Sequence, residues 1–427
     1  MPVIMRPPRE EWGQLAQRPV SDPHALFDVV RPVVEDVERY GDAAILRYEM
    51  RFDGAMLESL AVSEAEIEAA GAQLSPVLRQ AIISAGNNIY KFHKAQKFEE
   101  IRVETSPGVV CRQKAVPLRS VGLYIPGGTA PLFSTALMLA TPARIAGCPE
   151  IILCTPPQRD GSVHPAILFA AALSGVNNIY KMGGIQAIAA MACGTQTIPK
   201  VDKIFGPGNQ YVAAAKEFVN LRGTAIDLHA GPSEVEILAD DSANPAFVAA
   251  DMLSQAEHGP DSQAILVTAG GDVIIERVIA ELSEQLEALP RKETARKAIG
   301  NSRIIALDNM SEAIDFTNLY APEHLIIQTR DYRAAGEQIL NAGSIFLGHY
   351  TPESAGDYAS GANHTLPTNG HARTCSGVNF DSFVRKITLQ EITQEGLRIL
   401  ADVINPMSTA EQLDAHRNAV TIRTNML

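Results

Sequence analysis

Between residues 120 and 220 four short apolar runs each give way to a helix-like stretch. Ser120–Ile125, Glu150–Thr155, Asn178–Met182 and Lys203–Phe205 read as strands, and Leu132–Ile145, Pro165–Ser174, Ile185–Cys193 and Gln210–Asn220 as helices. A strand that reaches its neighbour through a helix runs parallel to it by a right-handed crossover, so this spacing predicts a parallel sheet covered by helices. A second series follows from about residue 234. Glu234–Ala239, Ala264–Thr268, Arg303–Leu307, His324–Gln328 and Ser344–Leu347 read as strands, and Pro245–Glu257 as a helix. Residues 21–100 read as mostly helical, with helical spacing in Val29–Tyr40 and Ser63–Ser84, continuing through Asn87–Lys97. Residues 380–427 read as a polar, helical tail separated from the sheets. The fold class expected is α/β, with more than one lobe, because 427 residues exceed what one core usually holds.

Composition excludes several functions. Net charge is −13, which opposes the phosphate-neutralising surface of a nucleic-acid binder. Mean hydropathy is zero and the apolar runs are short and broken, so no membrane span is expected. The first residues, MPVIMRPPREEWGQL, carry charges and two adjacent prolines and do not read as a targeting peptide. Five cysteines without a CxxC argue against a disulfide framework or a thiolate zinc site and fit a reducing, cytoplasmic setting.

Three strand-to-helix junctions carry glycines: Pro126-Gly-Gly128, Met182-Gly-Gly184 and Gly206-Pro-Gly208. A helix N-terminus offers free N–H groups to a pyrophosphate. None is a GxGxxG, and glycine also serves any tight βα turn, so a nucleotide site and a plain turn both stand. Tyr124, Gln186 and Asn209 sit beside these turns. Gln255 and His258 lie three apart at a helix end, where both side chains can aim at one point. Three further polar clusters accompany them: Glu323-His324, the loop Ser354–His364 with Asp357, and Glu411 with His416. Nitrogen and oxygen ligands without thiolate suit catalytic zinc, and also manganese or cobalt. His24, His93, His164, His349 and His371 read as structural or surface groups, whereas His229 can line a pocket.

The stretches LSQAEHGPDSQ, APEHLIIQT, ESAGDYASGANHTLPT, YIPGGTAPLFSTALMLATPA, FGPGNQYVAAAK and AGPSEVEIL together resemble the histidinol dehydrogenases, from about residue 25 to the terminal VTIR. The resemblance implies oxidation of L-histidinol through L-histidinaldehyde to L-histidine, the last steps of histidine biosynthesis, with two NAD reduced and one zinc per subunit. It implies Gln255, His258, Asp357 and His416 as zinc ligands, His416 coming from the partner subunit of a homodimer. Glu323 and His324 are the implied catalytic acid and base. Tyr124, Gln186 and Asn209 match the family's NAD contacts, and Ser233, His324, Asp357 and Glu411 join the zinc ligands as substrate contacts. The organisation expected is an N-terminal segment (1–20), two Rossmann-like lobes and a C-terminal helical module (379–427) packing on the partner. The first lobe combines 21–119 with 236–378 and carries zinc and catalytic residues; the second, 120–235, binds the nucleotide. A related zinc- and NAD-dependent dehydrogenase of another small polar alcohol is the alternative reading, with a zinc hydrolase and a thiolate-based second step through Cys111, Cys148 or Cys375 as weaker rivals.

Overall fold

A computed structural model of the chain describes residues 1–18, 23–127, 130–228 and 231–426. Gly128 of the first glycine turn, His229 and the side chain of His24 lie outside the described residues. In chain order the strands are β1 (Val3–Met5), β2 (Ile101–Ser106), β3 (Val109–Pro117), β4 (Ser120–Tyr124), β5 (Glu150–Thr155), β6 (Asn178–Lys181) and β7 (Lys203–Phe205). They continue as β8 (Ala225–Ile226), β9 (Glu234–Ala239), β10 (Gln263–Thr268), β11 (Arg303–Ala306), β12 (His324–Gln328), β13 (Ser344–Leu347) and β14 (Val384–Ile392).

Two of the sheets are parallel and share one winding. The first runs β6-β5-β4-β7-β8. The second repeats that order as β11-β10-β9-β12-β13 and gains β1 as a parallel edge, with Val3 opposite Ile304. In each sheet the chain starts at a central strand, winds one way, then returns to wind the other, which is the doubly wound α/β plan. Every residue of β4, β9, β10 and β12 is buried. Strands covered on both faces need continuous apolar runs rather than alternation, and that made them legible in the sequence.

The helices of residues 27–95 pack on the first of these sheets. Helix Phe27–Tyr40 buries Val30, Val33, Val34 and Val37, one stripe at helical spacing, in a core shared with Ile188, Val212 and Val219. Ile82 and Ile89 join Leu137, Leu139 and Ile167. The stripe finds its cover on the lobe of β4–β8. The single helical stretch expected over Ser63–Ser84 is two helices, Glu64–Ala70 and Pro76–Ala95. Ser75 caps the second through its side chain and Pro76 occupies its first turn, where a missing N–H costs nothing.

The tail is not wholly helical. It opens with a 3₁₀ turn, Phe380–Phe383, and runs into β14, nine residues paired antiparallel with β3, which pairs in turn with β2. Helices Gln394–Ala410 and Asp414–Thr424 follow and pack on each other. Among the described residues no helix is long and apolar enough to cross a membrane.

Candidate active site

A cavity of about 1190 Å³ lies where the two parallel sheets meet. Gly208 and Asn209, just past the carboxyl end of β7, line one wall; Ser233, His258, His324 and Asp357 line the other. Ser233 precedes β9 and His324 opens β12, so the second sheet presents its amino edge to the carboxyl edge of the first. Ligands of doubly wound sheets usually sit at carboxyl ends. Only the first sheet follows that rule here.

Glu323 and His324 share the mouth of β12, and both line the cavity despite being adjacent in sequence. The Glu234 N–H donates to Glu323 Oε2 at 2.9 Å, and His324 Nδ1 lies 3.1 Å from the Glu234 carbonyl oxygen. His324 Nε2 is buried without a hydrogen-bond partner, 3.8 Å from Asp357 Oδ1. Burial holds the His324 imidazole neutral, its pKa pushed down to about 3, with His258 and His364 adding to the effect. Burial drives Glu323 well above the usual carboxylate range, and the charges of Glu234 and Asp357 push the same way.

His258, Glu353 and Asp357 form a group whose ligand atoms lie within 4.8 Å of one another. Gln255 joins it from the helix Pro245–Ala256. With its amide turned so that Nε2 donates to Glu353 Oε1 (2.9 Å) and the Glu234 carbonyl (3.3 Å), its Oε1 faces His258 Nδ1 at 3.0 Å. Burial raises Asp357 to about 7, and burial together with Asp357, Glu323 and Asp251 raises Glu353 well beyond the carboxylate range. Clustered carboxylates with this proton affinity, beside an amide oxygen and an imidazole, form a hard nitrogen–oxygen donor set. It fits zinc, and equally manganese or cobalt. Glu353 had not been singled out in the sequence. It stands four residues before Asp357 on helix Glu353–Tyr358, a spacing that stacks two carboxylates on one face.

The nucleotide candidates divide. The Tyr124 hydroxyl accepts from Gly184 N at 3.1 Å and Gln186 Nε2 donates to Glu49 Oε1 at 2.8 Å, so both are tied into the second glycine turn. Glu49 Oε1 also accepts from Gly183 N, while Gln186 Oε1 is buried and unpartnered. Asn209 reaches the cavity and caps helix Gln210–Leu221, its Oδ1 accepting from the N–H groups of Tyr211 and Val212. Gly206 has φ +130°, and a Cβ there would fall 2.1 Å from the Tyr124 carbonyl oxygen; only glycine lets β7 turn so close to β4. Glu411 and His416 are exposed on the tail and do not line the cavity. His371, expected to be structural or surface, does line it, as does His364, whose Nε2 lies 3.1 Å from Thr135 Oγ1. His93 is structural: it is buried, with Nδ1 2.9 Å from the Ile89 carbonyl. Burial raises the Cys148 thiol to about 11, a poor thiolate nucleophile.

A cleft between two doubly wound sheets, holding a buried carboxyl and imidazole beside a cluster of nitrogen and oxygen donors, is a site of the kind α/β enzymes build. The family model for histidinol dehydrogenase matches residues 16–424. The chain is 57% identical over 427 residues to the histidinol dehydrogenase of Bacteroides thetaiotaomicron, covering all of both chains. It is 51% identical over 421 residues to that of Escherichia coli strain K12, covering 98% of this chain and 96% of the relative. The crystal structure of histidinol dehydrogenase from Elizabethkingia anophelis superimposes with a TM-score of 0.97 at 52% identity, covering 100% of this chain and 98% of that one. The chain therefore belongs to the histidinol dehydrogenase family and is an oxidoreductase.

Proposed function

We propose that this chain is a cytoplasmic, zinc-dependent dehydrogenase that oxidises L-histidinol through L-histidinaldehyde to L-histidine, reducing two NAD, at the end of histidine biosynthesis. Full-length family membership supports the substrate. The observation that carries the mechanism is the pairing, in one cavity, of Glu323 and His324 with His258 and Asp357, with Gln255 buried beside His258.

Zinc, when bound, would orient the substrate's amine and imidazole, and NAD would accept the hydride. Gln255, His258 and Asp357 would hold the metal, with His416 supplied by the partner of a homodimer. His324 takes the hydroxyl proton of the alcohol at Nε2. The ring is neutral and its Nε2 lone pair is open, so it can accept, while burial weakens it as a base. Glu323, in its ionised form, takes a proton from the water that hydrates the aldehyde, so that a second hydride can leave. Ser233 from the cavity wall and Glu411 from the partner would contact the substrate. Asn209, with Gln186 and Tyr124 behind the second glycine turn, would serve NAD.

The tail supports a shared site. Ile399, Val403 and Met407 recur every four residues along helix Gln394–Ala410 and are exposed, as are Leu413, Ile422 and Met426. An apolar stripe of this kind on an arm bearing Glu411 and His416 fits a two-fold partner that receives both residues. The test is NADH formation from L-histidinol by zinc-loaded protein, with and without a chelator, beside a panel of small amino alcohols. Two NADH per L-histidinol, abolished by the chelator, is the result expected. No turnover of L-histidinol, or faster turnover of another alcohol, would overturn the assignment.

A further inference from the structure

Both members of the pair touch the backbone of one residue, Glu234 at the mouth of β9: Glu323 meets its N–H and His324 its carbonyl, in the two peptide groups that flank its Cα. The side chain of Glu234 is buried and points into a separate set of contacts. Its Oε2 receives two donors from Arg18, Nε at 2.7 Å and Nη2 at 2.6 Å, and its Oε1 accepts from Asn369 N. Asn369 lies on the cavity wall. The Arg18 guanidinium also stacks 3.7 Å from the centre of the Tyr320 ring, and Nη2 donates to the Ala321 carbonyl at 3.3 Å. Ala321 has φ +54°, a left-handed conformation that a residue with a Cβ adopts at a cost, and Pro322, Glu323 and His324 follow it directly.

We propose that Arg18 and Glu234 are positioning residues for the Glu323–His324 pair. A buried carboxylate is stable only when its charge and lone pairs are met, and here an arginine fork meets one oxygen and a peptide N–H the other. Those contacts anchor the Glu234 side chain and, through its Cα, the two peptide groups on either side of it. The N–H of one and the carbonyl of the other set where Glu323 Oε2 and His324 Nδ1 stand. Arg18 holds the other end of the arrangement as well, by pinning the strained Ala321 from which the pair is carried. A residue near the start of the chain thus braces a catalytic pair some 300 positions later. The inference rests on the reading that this pair performs the proton transfers.

The experiment uses full-length, zinc-loaded protein as wild type, Arg18→Lys, Arg18→Met and Glu234→Gln, with L-histidinol and NAD. Displacements on the order of 1 Å cost about 10²-fold in rate. We expect kcat to fall by about 10- to 100-fold in Glu234→Gln and Arg18→Met and less in Arg18→Lys, with KM for NAD and zinc content held within about twofold. If Arg18→Met fails to fold, Arg18→Lys and Glu234→Gln decide the matter, since the first keeps the charge and the second the size of the side chain it replaces. Wild-type kcat in those two variants, or a loss that tracks zinc content or KM for NAD, overturns the positioning role alone. A wild type that forms no NADH from L-histidinol overturns both that role and the reading beneath it.

Discussion

Lys216 and Asp227 form a buried ion pair beneath the third glycine turn, with side chains 3% and 1% exposed. Besides its contact with Asp227 Oδ1, Lys216 Nζ donates to the Gly206 carbonyl at 2.9 Å. Asp227 also accepts from the N–H groups of Gly206 and Leu228, each at 2.7 Å. Lys216→Met would keep the bulk and remove the charge. Breaking a buried pair by deleting one partner costs about 3–5 kcal/mol, because the other charge stays behind without water. The two peptide donors left on Asp227 offset part of this, while the Gly206 carbonyl loses a partner worth about 1 kcal/mol. A net loss of about 3 kcal/mol follows from those opposing effects. A multi-lobed protein need not unfold in one step, so the right assay is native-state hydrogen exchange, read at the amides of β7 and of helix Gln210–Leu221. Their opening free energy should drop by about 3 kcal/mol, and Lys216→Met/Asp227→Asn should recover about 2 kcal/mol of it. KM for NAD should rise, since Asn209 stands on that turn. Unchanged exchange in the single variant would refute the reasoning, as would a double variant no more stable than the single one.

Three other outcomes can be checked. His416→Asn should lose zinc, as read by metal analysis; mixed with His258→Asn and reassembled, it should regain about one quarter of wild-type activity, because half the dimers then carry one intact site. No regain would place His416 outside the partner's site. His324→Asn should slow both oxidations strongly, whereas Glu323→Gln should slow aldehyde oxidation far more than alcohol oxidation; equal losses for the two substrates would remove that division of labour. Glu49, raised by burial from 4.5 to about 8, binds its proton more tightly in the folded chain, so its contribution to stability is complete below pH 4.5 and is lost as pH rises through about 8. Glu49→Gln should therefore flatten the decline in stability across that window, and a parallel decline in the variant would assign it to other groups.

The parallel strands were legible because burial on both faces writes them as apolar runs. The antiparallel sheet was not. β2 is exposed along almost its whole length and β14 along most of its own, so neither carries an apolar pattern to read. β1 has only three residues and owes its existence to a partner 300 positions away. The same limit governs the site. Gln255, His258 and Asp357 stood in motifs whose chemistry could be read locally. Glu353 carried a readable signal in its spacing from Asp357, whereas the Arg18–Glu234 contact spans 216 positions and leaves no local trace. Which core the helices of residues 27–95 join was illegible for a related reason. An amphipathic stripe announces that a helix needs covering and says nothing about which lobe will cover it.

The edge strand β1 also sets an order of events during synthesis. Its partner β11 emerges about 300 residues later, roughly 15–60 s at ~5–20 residues per second. The strands β4–β8 lie wholly within that interval and can pair first, with Val378 and Phe383 joining their core later. Until Ile304 arrives, the first strand of the chain has no ladder to join, so residues 3–5 and Arg18 dock onto a sheet whose other strands are made last. A truncation before β11 would leave strands β4–β8 paired but without Phe383, which stacks on Phe205 of β7, and would leave a loose N-terminus; nascent chains arrested at successive lengths should become protease-resistant at their beginning only after their middle.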